Sequence, residues 1–446
     1  GSGDMTVVRA TTATRVNENG LIETVASNVP RIDYTSGEAS ILVEPQRTNL
    51  ITYPISFANT YWTKGAASIE GDPSTAGSEL ITSTTDRDFS GANNWVNNNL
   101  SSFDSTTGAV LTLATTAIGQ SCSLASINAL GSAGKMYKIT FDVNSITGTW
   151  ELQNSSGAWL GINITRYTFN TTGTYTLYTT DFTGGFSISS RVVTGNVVFD
   201  NFSIKEVQGY SSPSVDYPTS AFKLVESSAL ATQHTIGTSS FATGVVNVTL
   251  SVFVKQASNR YIAISDNQWG AGYAVFDITN GINISYGGVG YISNKITALA
   301  NGWYRISVTF TVNGTGNCGF VINTLLPSYT SGSAAAVGNR YDGDGTSGVY
   351  IYGAQLEAGS YPTSLTFTSL SIEGSTVTRN ADNLEVSNLD NVILAGTSWT
   401  ASGEFIKKQD KDSAMYLFFA YYLSSLNLFR IRDYTTYVQF KIFTTS

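Results

Sequence analysis

Short runs in which apolar and polar residues alternate recur along the chain and are separated by stretches rich in Gly, Ser and Asn. Residues 136–143 and 248–255 alternate with the period of two that is typical of a half-buried strand. Residues 173–178 and 302–308 each begin with a glycine, soon followed by an aromatic residue, and then alternate in the same way. The pattern predicts an all-β protein made of antiparallel β-sandwiches.

The pattern occurs twice in the same order, which predicts a diverged duplication of one sandwich. The first copy closes with a strand signal at residues 197–206 and the second with a similar one at 349–357. An opening signal, a phenylalanine followed within a few residues by a tryptophan, is present at 57–62 and again at 88–95. The two opening signals precede both bodies, so one module is expected to be inserted into a loop of the other.

The predicted organisation is therefore nested, and a plain tandem order with an orphan strand at 51–79 is the alternative. The last segment reads as lectin-like and as either completed by neighbouring chains or truncated. The predicted parts are a β lead-in at 1–50, a discontinuous jelly-roll module at 51–79 plus 209–368, an inserted jelly-roll module at 80–208, and the start of a third β domain at 369–446.

Composition agrees with this fold class and argues against several functions. Only 13% of the residues are charged and 12% are aromatic, a balance that favours strands. The net charge is −8, so no nucleic-acid partner is expected, because neutralising phosphates requires clusters of Lys and Arg. No apolar run is long enough to predict membrane insertion. Cys122 and Cys318 are expected to be free, buried thiols.

Three segments near the start of the chain are recognisable. The three segments are Ala13-Thr14-Arg15-Val16-Asn17, Gly20-Leu21-Ile22-Glu23 and Glu44-Pro45-Gln46-Arg47-Thr48-Asn49-Leu50. They resemble the lead-in of tail-fibre and head-fibre proteins of tailed phages, especially those of Bacteroidetes-type hosts, and residues 358–364 and 374–382 are similar to the same family.

The resemblance implies carbohydrate-binding-like jelly rolls and a place on the virion surface after synthesis in the host cytoplasm. It further implies a homotrimer that contacts other virion structural proteins and attaches to polysaccharide on the host cell surface. Two alternatives stay open: a purely structural decoration of the virion, and the binding region of a secreted polysaccharide-degrading protein. The lead-in itself is expected to be structural, with ion pairs among Arg15, Glu23, Arg31, Glu44 and Arg47.

Catalytic motifs are sparse, and no enzymatic activity is expected. His234 is the single histidine, and no Gly-x-Ser-x-Gly elbow accompanies it to build a serine triad. One histidine and two distant cysteines do not supply the ligands of a zinc site. A carboxylate pair for glycoside hydrolysis stays an alternative, because the chain has 32 Asp and Glu residues.

Sugar binding requires exposed aromatic rings that stack on pyranose faces, and amides and acids that bond the hydroxyl groups. Residues 266–270 place an acid, two amides and a tryptophan in one predicted loop. For each aromatic residue the alternative is a place in the core. The predicted carbohydrate-binding residues are Asp266, Asn267, Gln268, Trp269, Tyr273, Trp150 and Trp159.

The candidate metal site is Asp342-Gly343-Asp344-Gly345. Oxygen ligands two residues apart at a glycine turn suit calcium. The same sequence is also an ordinary hairpin turn. The turn is the favoured interpretation, and a structural calcium held by Asp342 and Asp344 is the alternative. No other cofactor is expected.

Overall fold

The computed structural model of the 446-residue chain divides into two compact units, Arg9–Ala381 and a second unit formed by Gly1–Val8 with Asp382–Ser446. Within the described ranges, no helix has the length and apolar character needed to cross a membrane. The structure describes residues 5–73, 76–124, 135–154, 161–162, 165–179, 186–244, 246–267, 272–312, 316–326, 340–367, 373–386, 415–420, 428–434 and 437–443.

The chain begins with six short strands. Between two of them the Asn19-Gly20 step reverses the chain, and Gly20 adopts a φ of +73°, which glycine tolerates because it lacks a Cβ. The resulting antiparallel pair sets Arg15 opposite Glu23. The strands are β1 (Met5–Val8), β2 (Ala13–Val16), β3 (Ile22–Val25), β4 (Ile32–Asp33), β5 (Ser40–Ile41) and β6 (Arg47–Asn49).

The ion pairs predicted for the lead-in are confirmed. Arg15 pairs with Glu23 across β2 and β3. The Arg47 Nε atom lies 3.9 Å from an Oε atom of the fully buried Glu357, which belongs to the sandwich that follows later in the chain. The lead-in is therefore attached to that sandwich by charge as well as by packing.

A second pair is fully buried. Arg31 Nη1 donates to Glu44 Oε2 over 2.9 Å, and Arg379 Nη2 lies 3.5 Å from the same oxygen. Burial alone would raise the pKa of Glu44, but the two guanidinium groups and hydrogen bonds from Ser364 hold that pKa below its usual value. Glu44 is thus charged in the fold, and removal of one arginine would leave a poorly compensated charge in the interior.

The first sandwich follows two short strands, β7 (Thr63–Gly65) and β8 (Ala67–Glu70). Its described residues include one helical turn, α1 (Thr85–Asp88), and a set of strands. These are β9 (Ala76–Glu79), β10 (Trp95–Asn97), β11 (Ser102–Asp104), β12 (Leu111–Thr115), β13 (Ser121–Leu124), β14 (Tyr137–Thr147), β15 (Trp150–Asn154), β16 (Gly161–Ile162), β17 (Thr165–Arg166), β18 (Thr168–Phe169), β19 (Gly173–Thr179), β20 (Phe186–Ser190) and β21 (Gly195–Val207).

The second sandwich is built mainly from the strands that come next, with a 3₁₀ turn at Ala300–Gly302. These strands are β22 (Phe222–Glu226), β23 (Thr235–Gly237), β24 (Phe241–Ala242), β25 (Asn247–Gln256), β26 (Tyr261–Ser265), β27 (Tyr273–Asp277), β28 (Ile282–Gly287), β29 (Tyr291–Ala298), β30 (Trp303–Thr311), β31 (Asn317–Cys318), β32 (Val321–Leu325) and β33 (Gly348–Ala358).

Each sandwich consists of two antiparallel sheets, and the strand orders correspond. In the first, sheet A has the order β10-β13-β20-β15-β18 and sheet B the order β11-β12-β21-β14-β19, with β9 against β21. In the second, sheet C has the order β7-β23-β32-β26-β27-β28 and sheet D the order β8-β22-β33-β25-β30-β29. The central pairs β14–β21 and β25–β33 both contain register shifts. One strand order in two successive sandwiches is what a duplication produces.

The opening signals of the sequence lie in the two cores. Phe57 and Trp62 are buried in the second sandwich with ring centroids 4.8 Å apart, and Phe89 and Trp95 are buried in the first with centroids 6.0 Å apart. The phenylalanine–tryptophan signal recurs in the sequence because both pairs pack in a sandwich core. The predicted fold class, antiparallel β-sandwiches behind a β lead-in, is confirmed.

The strand pairing connects distant parts of the chain. β7 and β8 precede the first sandwich in the sequence, yet they pair with β23 and β22 of the second. β9 lies within the range predicted for the second module, but it pairs with β21 of the first. The boundaries proposed for the modules stay a prediction.

The remaining strands close the lead-in or belong to the smaller unit. β34 (Val377–Arg379) pairs with β6. In the smaller unit, β35 (Asn383–Val386) pairs with β1. A three-stranded antiparallel sheet follows there, made of β36 (Met415–Ala420), β37 (Leu428–Tyr434) and β38 (Tyr437–Phe443). The lectin-like character predicted for residues 369–446 stays a prediction.

Candidate functional site

One of the predicted sugar-stacking tryptophans, Trp150, does not mark a surface site. Trp150 is fully buried in the core of the first sandwich, and its Nε1 donates to the carbonyl of Thr147 over 3.3 Å. Its prediction as a stacking residue is wrong, because it occupies an inward-facing position on β15, next to inward-facing Leu152 two residues on. Trp159 lies outside the described residues.

Asp266 and Asn267, the described residues of the predicted sugar-binding loop, directly follow β26. Asp266 is buried, and its Oδ1 accepts the backbone N–H of Gly319 over 2.8 Å. Asn267 donates from Nδ2 to the carbonyl of Thr238 over 3.2 Å. One carboxylate oxygen of Asp266 thus holds the neighbouring chain, and its predicted role in binding a sugar stays a prediction. Gln268 and Trp269 lie outside the described residues.

The Asp-Gly-Asp-Gly segment forms a hydrogen-bonded turn. The Asp344 carboxylate accepts the backbone N–H groups of Thr346 over 2.7 Å and of Ser347 over 2.6 Å. The Ser347 hydroxyl and these N–H groups hold the pKa of Asp344 well below its usual value. Asp342 Oδ1 accepts the N–H of Ala231. Among described residues no group of three His, Cys, Asp or Glu side chains could hold a metal ion, and calcium at this turn stays a prediction.

The outer face of sheet D is covered by the chain itself. Glu357 is fully buried there and accepts the backbone N–H of Thr363 over 2.8 Å. Gln355 accepts the N–H of Thr366 over 2.7 Å, and its Nε2 donates to Glu357 over 2.8 Å. The polar groups of this face are thus used to hold residues 363–366, so sheet D does not offer them to a ligand.

The outer face of sheet C differs. Along β26, Ile262 and Ile264 point into the core, so Tyr261, Ala263 and Ser265 point outward, because successive side chains in a strand alternate. The neighbouring strands supply the rest of the face through direct pairing. We call this surface the outer face of sheet C. It contains Tyr261, Ala263, Ser265, Tyr273, Val275, Asp277, Asn323 and Leu325.

The face has an apolar floor and a partly exposed rim. Ala263, Val275 and Leu325 are buried and form a cluster of their own, separate from the sandwich core. Tyr261 and Tyr273 pack against this cluster and remain partly exposed. Of the predicted site residues, Tyr273 is the one that the structure places on this face.

The charges on the described part of this face neutralise one another. Arg260 Nε donates to Asp277 Oδ2 over 2.9 Å, and the Arg260 guanidinium carbon lies 5.1 Å from the centre of the Tyr261 ring. Burial would raise the pKa of Asp277, but hydrogen bonds from Arg260, Asn280 and Thr279 hold it below its usual value. The Arg260 guanidinium, which Asp277 holds, also contacts the Tyr261 ring, and this cation–π contact favours a defined orientation of the ring.

Two buried polar atoms on the same face have no hydrogen-bond partner among the residues that the structure describes: Ser265 Oγ and Asn323 Nδ2. Ser265 is fully buried and Asn323 is 3% exposed. Buried polar groups are nearly always satisfied, so two such atoms on one face indicate a place where a ligand or water supplies the missing bonds. Together with the tyrosine rim, they make this face the candidate functional site.

A second aromatic feature lies at the edge of the same sheet. Tyr286 on β28 is 57% exposed and stacks on Tyr291 with ring centroids 4.8 Å apart. The Asn294 amide donates to the Tyr291 hydroxyl over 2.6 Å and holds that ring in place. Tyr286 pairs with Ala274, whose side chain lies in the sandwich core, so this tyrosine pair is on the other face of sheet C from Tyr273.

The sequence analysis missed Tyr261, Ser265 and Asn323. The alternation in residues 261–265 predicts that Tyr261 and Ser265 share one face, since two isoleucines occupy the positions between. What the alternation does not reveal is which outer face combines partly exposed tyrosines with buried polar atoms, because that depends on pairing between strands that are distant along the chain.

No protein-family model matches the chain, and no curated protein matches it. Among solved structures, the chain is similar to the N-terminal CBM22-1–CBM22-2 tandem domain from Paenibacillus barcinonensis Xyn10C. The two are 12% identical, and the match covers 64% of this chain and 98% of that one at a TM-score of 0.21. At this TM-score the similarity does not define a shared fold, so the strand pairing described above remains the basis of the fold assignment.

Proposed function

We propose that this chain is a fibre component on the surface of a tailed-phage virion and that it binds polysaccharide of the host cell surface. The binding site in this proposal is the outer face of sheet C. The resemblance of residues 13–50 to the lead-in of phage fibre proteins supports the fibre assignment. The all-β architecture of the described chain agrees with it.

One observation carries the binding proposal: the outer face of sheet C combines two partly exposed tyrosines with two buried polar atoms that lack partners. A sugar ring offers an apolar face that stacks on an aromatic ring and hydroxyl groups that both donate and accept hydrogen bonds. The face therefore offers both kinds of contact that a sugar requires.

The lead-in has a supporting role in this proposal. Its buried charge network, Arg31 with Glu44 and Arg379, joins residues from the start of the chain to residues that follow the second sandwich. A fibre transmits force between the virion and the cell, so a firm connection between the binding module and the lead-in is useful. A homotrimer would present three weak sites together and gain affinity through avidity.

Binding is tested with the purified full chain and polysaccharide extracted from host cells, by biolayer interferometry. Tyr273→Ala should weaken binding about 30-fold, which corresponds to about 2 kcal/mol and is typical of an aromatic residue that dominates an interface. The physical reason is loss of the ring on which a sugar stacks.

The matched control is Tyr175→Ala. Tyr175 is a partly exposed tyrosine of the first sandwich, and its ring stacks on Phe141 with centroids 5.2 Å apart. This variant should bind like the unmodified chain. Equal losses in both variants, or absence of binding by the unmodified chain to any host polysaccharide, would contradict the proposal. Release of reducing sugars during the assay would instead reveal an enzyme.

A further inference from the structure

The unpartnered atoms of sheet C stand out against sheet A, which has the corresponding strand order in the first sandwich. On sheet A, Gln153 Nε2 donates to Glu151 Oε1 over 2.6 Å. The Ser187 hydroxyl donates to the carbonyl of Cys122 over 2.9 Å. These three atoms of sheet A, Gln153 Nε2, Glu151 Oε1 and Ser187 Oγ, have partners within the protein, whereas Ser265 Oγ and Asn323 Nδ2 of sheet C have none in the described part of the chain.

The two atoms lie close together in the sheet. Ser265 is in β26 and Asn323 in the adjacent β32, where Asn323 pairs with Ala263, two residues before Ser265 on the same face. A residue pair and its diagonal neighbour on one face of a sheet are within reach of a single small molecule. One donor, the amide Nδ2, and one group that both donates and accepts, the hydroxyl Oγ, are thus presented side by side.

The charged residues on this face indicate whether a charged or an uncharged ligand would fit. Arg260 and Asp277 are bonded to each other, so neither is left to balance the charge of a ligand. A carboxylate or sulfate group buried here would lack a counter-charge, which is unfavourable away from water. A hydroxyl group carries no charge, accepts from the amide and donates to the serine oxygen.

We propose that Ser265 and Asn323 form a subsite for the hydroxyl groups of an uncharged sugar residue. The inference rests on the proposed function and specifies its ligand: a neutral polysaccharide rather than one of uronic or sialic acids. Ser265 and Asn323 determine specificity, whereas the tyrosine rim contributes stacking. Both atoms are closed to solvent in the free chain, so binding requires the side chains that cover them to rearrange.

The test is a glycan array of neutral and of uronic- or sialic-acid-containing oligosaccharides, probed with the full chain, followed by titration calorimetry with the best neutral oligosaccharide. Ser265→Ala and Asn323→Ala should each weaken binding about five- to tenfold, the effect of one hydrogen bond to a neutral group. Ser187→Ala, which removes a hydroxyl from sheet A, should leave the affinity unchanged.

The outcomes separate this inference from the function on which it rests. If Tyr273→Ala weakens binding while Ser265→Ala and Asn323→Ala do not, the subsite is wrong and the sugar-binding face stands. If the array shows binding to acidic oligosaccharides alone, the ligand class is wrong. If no oligosaccharide and no host polysaccharide binds, the function and the subsite both fail. Melting temperatures of the ligand-free variants serve as the folding control.

Discussion

The two sandwiches of this chain have the same strand order and differ on one outer face. Sheet A of the first sandwich has Glu151, Gln153 and Ser187 on that face, and sheet C of the second has Tyr261 and Ser265 on the corresponding strand. In sheet A, Gln153 donates to Glu151 Oε1, and the Ser187 hydroxyl donates to the backbone. In sheet C aromatic rings surround an apolar floor, and two polar atoms lack hydrogen-bond partners among the described residues.

Strand order and core composition are similar in the two sandwiches, so these properties do not locate a binding site. Both cores are closed by a buried tryptophan from the opening signal, Trp95 in the first and Trp62 in the second. What distinguishes sheet C is the combination of partly exposed tyrosines with two buried polar atoms that lack hydrogen-bond partners among the described residues. On that combination we place the proposed site on the second sandwich.

The largest expected effect comes from breaking the core of the first sandwich. Trp150 is fully buried, so Trp150→Ala should lower the free energy of unfolding by about 3–5 kcal/mol through lost packing and a cavity. Differential scanning calorimetry of the full chain measures this loss. Binding to host polysaccharide should persist, because the proposed site lies on the other sandwich. Loss of binding while a folded second sandwich still gives its own transition would contradict the comparison.

The ionisation of Glu373 should make the stability of the chain depend on pH. Burial raises the pKa of Glu373 to about 7, while its Oε1 accepts the N–H of Ile55 over 2.9 Å. The charge of Glu373 contributes to the raised pKa of Tyr178 in the first sandwich and of Tyr352 in the second. A carboxyl whose pKa is higher in the folded chain contributes stability that is present below its unfolded pKa and lost as the pH rises through the folded pKa.

Between pH 5 and pH 8 the free energy of unfolding should therefore fall by about 2–3 kcal/mol from this one group. Glu373→Gln cannot ionise and should remove that part of the pH dependence, so that the variant is more stable than the unmodified chain at pH 8. Urea titrations of both proteins at the two pH values measure the difference. A pH dependence unaltered by Glu373→Gln would show that this carboxyl is ionised throughout the range.

The smallest expected effect compares two serines in the ligand-free chain. Ser187→Ala removes a hydrogen bond to the carbonyl of Cys122 and should lower the free energy of unfolding by about 1 kcal/mol. Ser265→Ala removes a buried hydroxyl without a partner and should leave stability unchanged or raise it. Chemical denaturation measures both. A loss of stability in Ser265→Ala equal to that in Ser187→Ala would place a partner on Ser265 and weaken the case for a ligand.

The sequence predicts the fold of this chain better than its site. Strand alternation, the Asn19-Gly20 turn and the repeated phenylalanine–tryptophan signal are local patterns, and each is a feature of the structure. The charged residues of the lead-in form the expected pairs because Arg and Glu in a largely buried segment must neutralise each other.

The site could not be predicted to the same degree. A tryptophan in polar sequence surroundings, such as Trp150, was taken for a surface residue, although the strand alternation around it places it inside. Tyr273 was found because it lies near a loop rich in amides. Ser265 and Asn323 are ordinary residues in the sequence, and their unsatisfied atoms depend on pairing between strands that are distant along the chain.

Hydroxyl-radical footprinting, read by mass spectrometry, tests the central claim most directly. Tyr261 and Tyr273 are partly exposed, as is Tyr175 of the first sandwich, so all three should be oxidised in the free chain. Saturating host polysaccharide should protect Tyr261 and Tyr273 and leave the oxidation of Tyr175 unchanged. Protection of Tyr175 with unchanged oxidation of Tyr261 and Tyr273 would place the ligand on the other sandwich and contradict the account.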